Sequence, residues 1–150
     1  MKKAVILLFI LCMGVASKAQ TVDYGFIKSL LSKSDSVAIV SLTNGGYTKY
    51  KGGEFKYVAD NKVKSAITFV KANPKDNQLH TYWAFQIYGK KPYASILKDL
   101  KKGSVKKEGT QYGAPKTEYK SKDGVFYYPF ADSMFSGLYW IYASKESLLD

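Results

Sequence analysis

The residues that could carry catalysis are few and scattered along this chain. His80 is the only histidine, and a serine–histidine–acid triad would need partners that only folding could bring to it. Ser95 and Lys98 match the S-x-x-K motif of serine β-lactamases and penicillin-binding proteins, but the companion S-D-N and K-T-G motifs are missing. The glutamates lie far apart in sequence, so no carboxylate pair is marked for glycoside hydrolysis. We therefore expect a protein without enzymatic activity, and we keep a small envelope hydrolase as an alternative.

The sequence carries no pattern for a metal or phosphate site. A structural zinc site needs several cysteine or histidine ligands at fixed spacing, whereas this chain has one histidine and one cysteine, Cys12. The glycine pairs at 45–46 and 52–53 fit neither phosphate-binding glycine motif, and they are typical of turns. We expect no cofactor and no metal.

The strongest signal for binding is a run of lysines between residues 90 and 107. Asp99 is the only acid among its 18 residues, and such an excess of positive charge attracts anionic partners. An acidic polysaccharide, an envelope component or a protein would fit, and a lysine face that serves only solubility is the alternative. The chain has no arginine, which disfavours sequence-specific DNA binding. The predicted binding residues are Lys90, Lys91, Lys98, Lys101, Lys102, Lys106, Lys107, Tyr88, Tyr93 and Tyr112.

Aromatic residues are abundant, with 13 tyrosines, 8 phenylalanines and 2 tryptophans. Exposed aromatic rings suit sugar stacking or a protein interface, although aromatic residues also favour the core of a sheet. Alternation along the strands assigns to the core Trp83, Phe85, Phe126, Tyr128 and Trp140. Position in or beside polar turns assigns to the surface Tyr47, Tyr50, Tyr88, Tyr93, Tyr112 and Tyr119.

The first 19 residues predict a secretory signal peptide. Two lysines precede an apolar run of about 13 residues, which is the length of a signal core and is shorter than the roughly 20 residues of a transmembrane helix. Ser17 and Ala19 supply the small residues before a cleavage site. Cys12 lies inside the apolar run and follows Leu11, which disfavours lipid attachment. We expect a periplasmic or secreted protein with no transmembrane helix after cleavage, and removal of three lysines lowers its formal net charge from +11 to about +8.

The elements that would position these residues follow from periodicity and turn chemistry. Apolar residues at helical spacing predict helices over 22–34 and 92–102. Short strand-like runs separated by turn residues are typical of an antiparallel meander. These runs lie at 37–42, 47–50, 55–59, 63–71, 79–88, 116–121, 125–130 and 138–143. The polar segment 104–115, with its glycines and proline, is predicted to be a loop.

The sequence thus predicts one small α+β domain over residues 20–150. It would combine an N-terminal helix, an antiparallel meander sheet of about six to eight strands and one inserted helix, and a mainly β sandwich or barrel is the alternative. The expected function is that of an exported, non-enzymatic binding module with a lysine- and tyrosine-rich surface. A periplasmic inhibitor or immunity-type protein is a second alternative.

Overall fold

In the computed structural model, which describes residues 22–73, 75, 79–111 and 113–149, three α-helices and eight strands follow one another. The helices are α1 (Tyr24–Leu31), α2 (Asp35–Asn44) and α3 (Lys90–Gly103). The strands are β1 (Thr48–Lys49), β2 (Glu54–Ala59), β3 (Lys62–Val70), β4 (Tyr82–Tyr88), β5 (Ser104–Gln111), β6 (Ala114–Ser121), β7 (Phe126–Ala131) and β8 (Leu138–Ser144). A 3₁₀ turn, Lys51–Gly53, precedes β2. The predicted signal segment, 1–19, lies outside the described residues, so its export role stays a prediction.

Helix α1 confirms the predicted N-terminal helix over a shorter span. The Oδ1 atom of Asp23 accepts a hydrogen bond from the Phe26 N–H at 2.7 Å, which satisfies an amide that the first turn of a helix leaves without a partner. Ile27, Leu30 and Leu31 are its buried residues. They form the apolar stripe that the sequence spacing indicates.

Helix α2 corrects the prediction of a strand over residues 37–42. Ala38 and Leu42, four positions apart, are both 1% exposed, whereas Val37 and Val40 are about half exposed. A strand would place Val40 on the same face as Ala38 and Leu42, yet Val40 is exposed. A helix, with roughly one turn between the two buried residues, puts them together and turns Val40 to solvent. A short apolar run of this kind is compatible with either structure, and burial against the rest of the fold selects the helix.

The eight strands form one open antiparallel sheet with the order β1-β2-β3-β4-β8-β7-β6-β5. Each half of the chain contributes a helical segment followed by a four-strand meander, and the two halves join where β4 pairs with β8. The sandwich or barrel alternative is therefore not observed. The mixed α+β class with more sheet than helix is confirmed.

Strand β5 corrects the prediction of a loop over residues 104–115. It pairs with β6 along its whole length, from Ser104 opposite Ser121 to Gln111 opposite Ala114. Apart from Val105, its side chains are polar on both faces, so the period-2 pattern that marks a half-buried strand is missing. Charged side chains are common on edge strands because they discourage pairing with other chains.

The sheet turns one face to the helices. Phe55, Ile67, Phe85 and Ile141 are paired in turn across β2, β3, β4 and β8, and none is more than 1% exposed. They belong to the same core cluster as side chains from α1, α2 and α3. Within the described part of the chain, no helix is long and apolar enough to cross a membrane.

Candidate binding face

The predicted lysine cluster begins on helix α3. Ile96 and Leu100 turn this helix toward the core, and its five lysines, Lys90, Lys91, Lys98, Lys101 and Lys102, are exposed. Asp99 lies within 3.8 Å of Lys102, and both side chains are solvated, so this pair contributes little to stability. The helix therefore carries a solvent-exposed, positively charged surface.

The two remaining lysines of the cluster lie on opposite faces of β5. Lys106 pairs with Tyr119 and Lys107 with Glu118, and successive residues of a strand point to opposite sides. The Lys106 ammonium forms an ion pair with Glu108, which raises the pKa of Lys106 and lowers that of Glu108. The structure does not bring all seven lysines onto one surface.

The three predicted tyrosines also separate. Tyr88 is exposed and its hydroxyl donates to the Oε1 atom of Gln86 at 2.7 Å. Tyr93 is half-buried and its ring stacks on Tyr139 at 4.3 Å, and burial raises its pKa. Tyr112 lies outside the described residues. Of the other tyrosines assigned to the surface, Tyr50 is exposed, whereas Tyr47 and Tyr119 are buried in the core.

A different surface, on the sheet face opposite the helices, concentrates aromatic and lysine side chains. Lys56, Ala66, Gln86, Trp140 and Phe130 are paired in turn across β2, β3, β4, β8 and β7. This row runs across five strands. We call this side the open face, because the core residues that the described helices contact lie on the other side.

The aromatic rings at the centre of the open face pack against one another. Tyr142 contacts Tyr82 with ring centroids 5.1 Å apart and Phe130 edge-on at 5.0 Å. Trp140 lies 6.0 Å from Tyr142 and 6.5 Å from Phe130. These separations lie in the range of favourable aromatic pairs. All four rings are half-buried, and none of the helices that the structure describes packs on them. Burial raises the pKa of Tyr142.

Lysines border this aromatic group. The Nζ atom of Lys116 lies 4.7 Å from the Phe130 ring centroid, and that of Lys120 lies 5.1 Å from the Phe126 ring. On the same face, toward the β1 edge of the sheet, the Nζ atom of Lys56 lies 5.0 Å from the Tyr50 ring centroid and forms an ion pair with Glu54 at 2.9 Å. Contacts of this kind hold an ammonium group over a ring face. The open face is therefore both aromatic and positively charged.

The C-terminal segment, residues 145–149, covers one end of the open face. The carboxyl group of Glu118, 2% exposed, accepts hydrogen bonds from the hydroxyls of Tyr128 and Ser147, and the Tyr128 oxygen accepts one from the Leu148 N–H. Leu149 packs directly above Gly109, where a Cβ atom would lie only 2.8 Å from Leu149 Cδ1. These contacts attach the segment to β5, β6 and β7.

Sequence periodicity places these aromatic residues on strands but misses which face is covered. Alternation predicts Trp140 and Phe126 to be core residues, yet both lie on the open face and are half-buried. Tyr128 lies on the same face and is buried because the C-terminal segment covers it. A signal for the open face is present in the sequence of β8, which is apolar on both faces. Tyr139 and Ile141 lie on one face, and Trp140 and Tyr142 lie on the other.

The residues considered for catalysis do not converge on a site. His80 Nδ1 lies 3.9 Å from the Oε2 atom of Glu146, beside a groove of about 250 Å³. The Ser144 hydroxyl in that groove donates to the Thr81 carbonyl oxygen at 2.9 Å. Ser95 and Lys98, the S-x-x-K pair, are both exposed on helix α3. Among the residues that the structure describes, no three His, Cys, Asp or Glu side chains form a metal-binding group.

Comparison with known proteins finds no matching family model, curated protein or solved structure. The functional interpretation therefore depends on the geometry of the open face.

Proposed function

We propose that this chain is an exported, non-enzymatic binding module that holds a protein partner against its open face. The observation that supports the proposal is the group of half-buried aromatic rings at the centre of the sheet with lysines on both sides. Tyrosine, tryptophan and phenylalanine are enriched at the centres of protein interfaces, and tryptophan and tyrosine dominate their binding energy.

The charge of the face indicates the kind of partner. Lys56, Lys107, Lys116 and Lys120 occupy strand positions on the open face. The acid nearest them on β6, Glu118, is already engaged by hydroxyl groups and covered. A partner with acidic side chains around an apolar centre would complement this arrangement. A second copy of the chain would not, because each carries a formal net charge of +11, or about +8 without the predicted signal.

Helix α3 is the weaker candidate for the same role. Its lysines extend into solvent from the side away from the core, and each ammonium group is a flexible, strongly hydrated point charge. Such a surface raises the rate of encounter with an anionic partner but gives little geometric specificity. We therefore assign steering to α3 and recognition to the open face.

The proposal is tested by isolating a partner with the intact protein and then comparing variants. Full-length protein is used to capture binding proteins from an envelope extract of the native host, and a protein retained in stoichiometric amount is purified for affinity measurement. Trp140→Ala should weaken the affinity by at least about tenfold. The double variant Lys98→Ala, Lys102→Ala is the control on α3, and its equilibrium affinity should change by less than about threefold.

Two results would contradict the proposal. The first is that no protein is retained in stoichiometric amount, and the second is that the α3 variant loses affinity while Trp140→Ala keeps it. The second result would return recognition to the lysine cluster predicted from the sequence. If the retained partner is an enzyme that loses activity in the complex, the module acts as an inhibitor.

A further inference from the structure

The loop between β7 and β8, residues 132–137, exposes two large apolar side chains. Met134 is 83% exposed and Phe135 is 62% exposed. Isolated exposed hydrophobic residues are common on protein surfaces, whereas neighbouring ones at one turn mark an interaction site more often. Methionine and aromatic residues are also among those enriched at interfaces.

Hydrogen bonds hold this loop in one conformation. The Oδ1 atom of Asp132 accepts the N–H groups of Met134 and Phe135 at 2.8 and 3.0 Å. Backbone bonds close its base, from Asp132 N–H to the Leu138 carbonyl oxygen at 3.0 Å and from Leu138 N–H to the Phe135 carbonyl oxygen at 3.2 Å. The two apolar side chains are thus presented on an ordered turn, so that little conformational entropy is lost when a partner covers them.

The loop is continuous with the open face. The Oδ2 atom of Asp132 accepts a hydrogen bond from Trp140 Nε1 at 2.9 Å, and Trp140 belongs to the aromatic group at the centre of that face. One carboxylate therefore fixes both the turn and the indole. These hydrogen bonds lower the pKa of Asp132, so the carboxylate keeps its charge over the physiological pH range.

We propose that Met134 and Phe135 form an anchor that enters an apolar pocket of the partner held by the open face, a protein with acidic side chains where it meets the lysines of that face. This inference rests on the proposed function. The fixed turn and its attachment to Trp140 favour a shaped protein pocket over a lipid surface, which needs no defined geometry. The Asp132 carboxylate at the base of the turn would also be repelled by anionic head groups.

The test uses site-specific photo-crosslinking in the native host. Benzoylphenylalanine replaces Phe135 at the tip, Tyr82 on the open face, or one of two control residues. The controls are Val40 on helix α2 and Leu79, which are 57% and 62% exposed and lie outside the anchor and the open face. The expected result is one protein adduct of the same identity from positions 135 and 82 and none from the controls. With that protein purified, Phe135→Ala should weaken its affinity at least about 30-fold, while circular dichroism shows an unchanged fold.

The other outcomes distinguish failure of the anchor from failure of the proposed function. An adduct at position 82 without one at 135, or a loss of affinity below about threefold for Phe135→Ala, would overturn the anchor and leave the open face in place. A lipid adduct or a chain-to-chain adduct at 135 would overturn the anchor as well. No protein adduct at either position would overturn both proposals.

Discussion

Replacing Tyr128 by phenylalanine removes one oxygen atom from the buried contacts that attach the C-terminal segment. That oxygen donates to the Glu118 carboxyl group and accepts from the Leu148 N–H. Tyr128, Glu118 and Leu148 are each 2% exposed, so water cannot readily replace either bond. The change therefore leaves a buried amide without this acceptor and a buried carboxyl group with one donor fewer.

The magnitude follows from these two losses. Leaving a buried polar group unsatisfied costs about 1–3 kcal/mol, and some relaxation of the C-terminal segment would recover part of the sum. We expect Tyr128→Phe to lower the free energy of unfolding by about 2–4 kcal/mol. For a chain of this size, each kcal/mol corresponds to about 3–4 °C, so the melting temperature should fall by about 10 °C.

The assay is urea denaturation followed by tryptophan fluorescence and far-ultraviolet circular dichroism. The matched control is Tyr142→Phe, which alters the residue directly opposite Tyr128 on the same face and should change stability by less than about 0.5 kcal/mol. A similar slope of free energy against urea in both variants would show that the unfolded states are comparable. Equal stability of the two variants would refute the assigned hydrogen bonds.

Three further outcomes follow from particular backbone and side-chain positions. Burial raises the pKa of Tyr127 far above the ordinary value of about 10. The unfolded chain therefore loses this proton first, and the protein loses stability as the pH rises above 10. In denaturation measured at pH 11, Tyr127→Phe should reduce this loss by about 1 kcal/mol. Gly53→Ala should lower the free energy of unfolding by about 1–3 kcal/mol, because φ is +78° and a Cβ atom would lie 2.2 Å from a backbone oxygen of β3. The control Gly52→Ala, with φ of +73° and no neighbour within 4 Å, should lower it less. Thermal denaturation of both variants measures the difference. Ile141→Ala, at the centre of the core, should cost about 2–5 kcal/mol in urea denaturation, and Val105→Ala on the edge strand should cost under about 0.5 kcal/mol.

Local chemistry predicts much of this fold. The Asp60–Asn61 turn between β2 and β3 has positive φ at both residues, 52° and 57°, as expected for a two-residue hairpin of this composition. Helix α3 appears where apolar spacing places it. In each case the interactions that determine the local structure lie within a few residues in sequence, so the sequence pattern is enough to predict it.

The missed elements depend on contacts that local sequence does not contain. The run 37–42 has β-branched residues and becomes helical because Ala38 and Leu42 are buried against distant strands. Strand β5 has no apolar side chain except Val105 and is defined by its pairing with β6. For the candidate site, the density of lysines in the sequence favours helix α3. The open face arises instead from the register of strand pairing, which places Lys56 and Trp140 in one row although they are far apart in sequence.

The position of β8 has a consequence for how the protein is made. It is the last of the eight strands along the chain, yet it lies at the centre of the sheet between β4 and β7, and its pairs with β4 join residues 50–60 positions apart. Synthesis from the N-terminus therefore yields two separate meanders, each with an apolar strand edge that no neighbour yet occupies. Exposed edges of this kind favour aggregation. The newly made chain should thus depend on a chaperone until residue 144 has emerged, and a chain that stops at residue 137 should lose the whole fold rather than one strand.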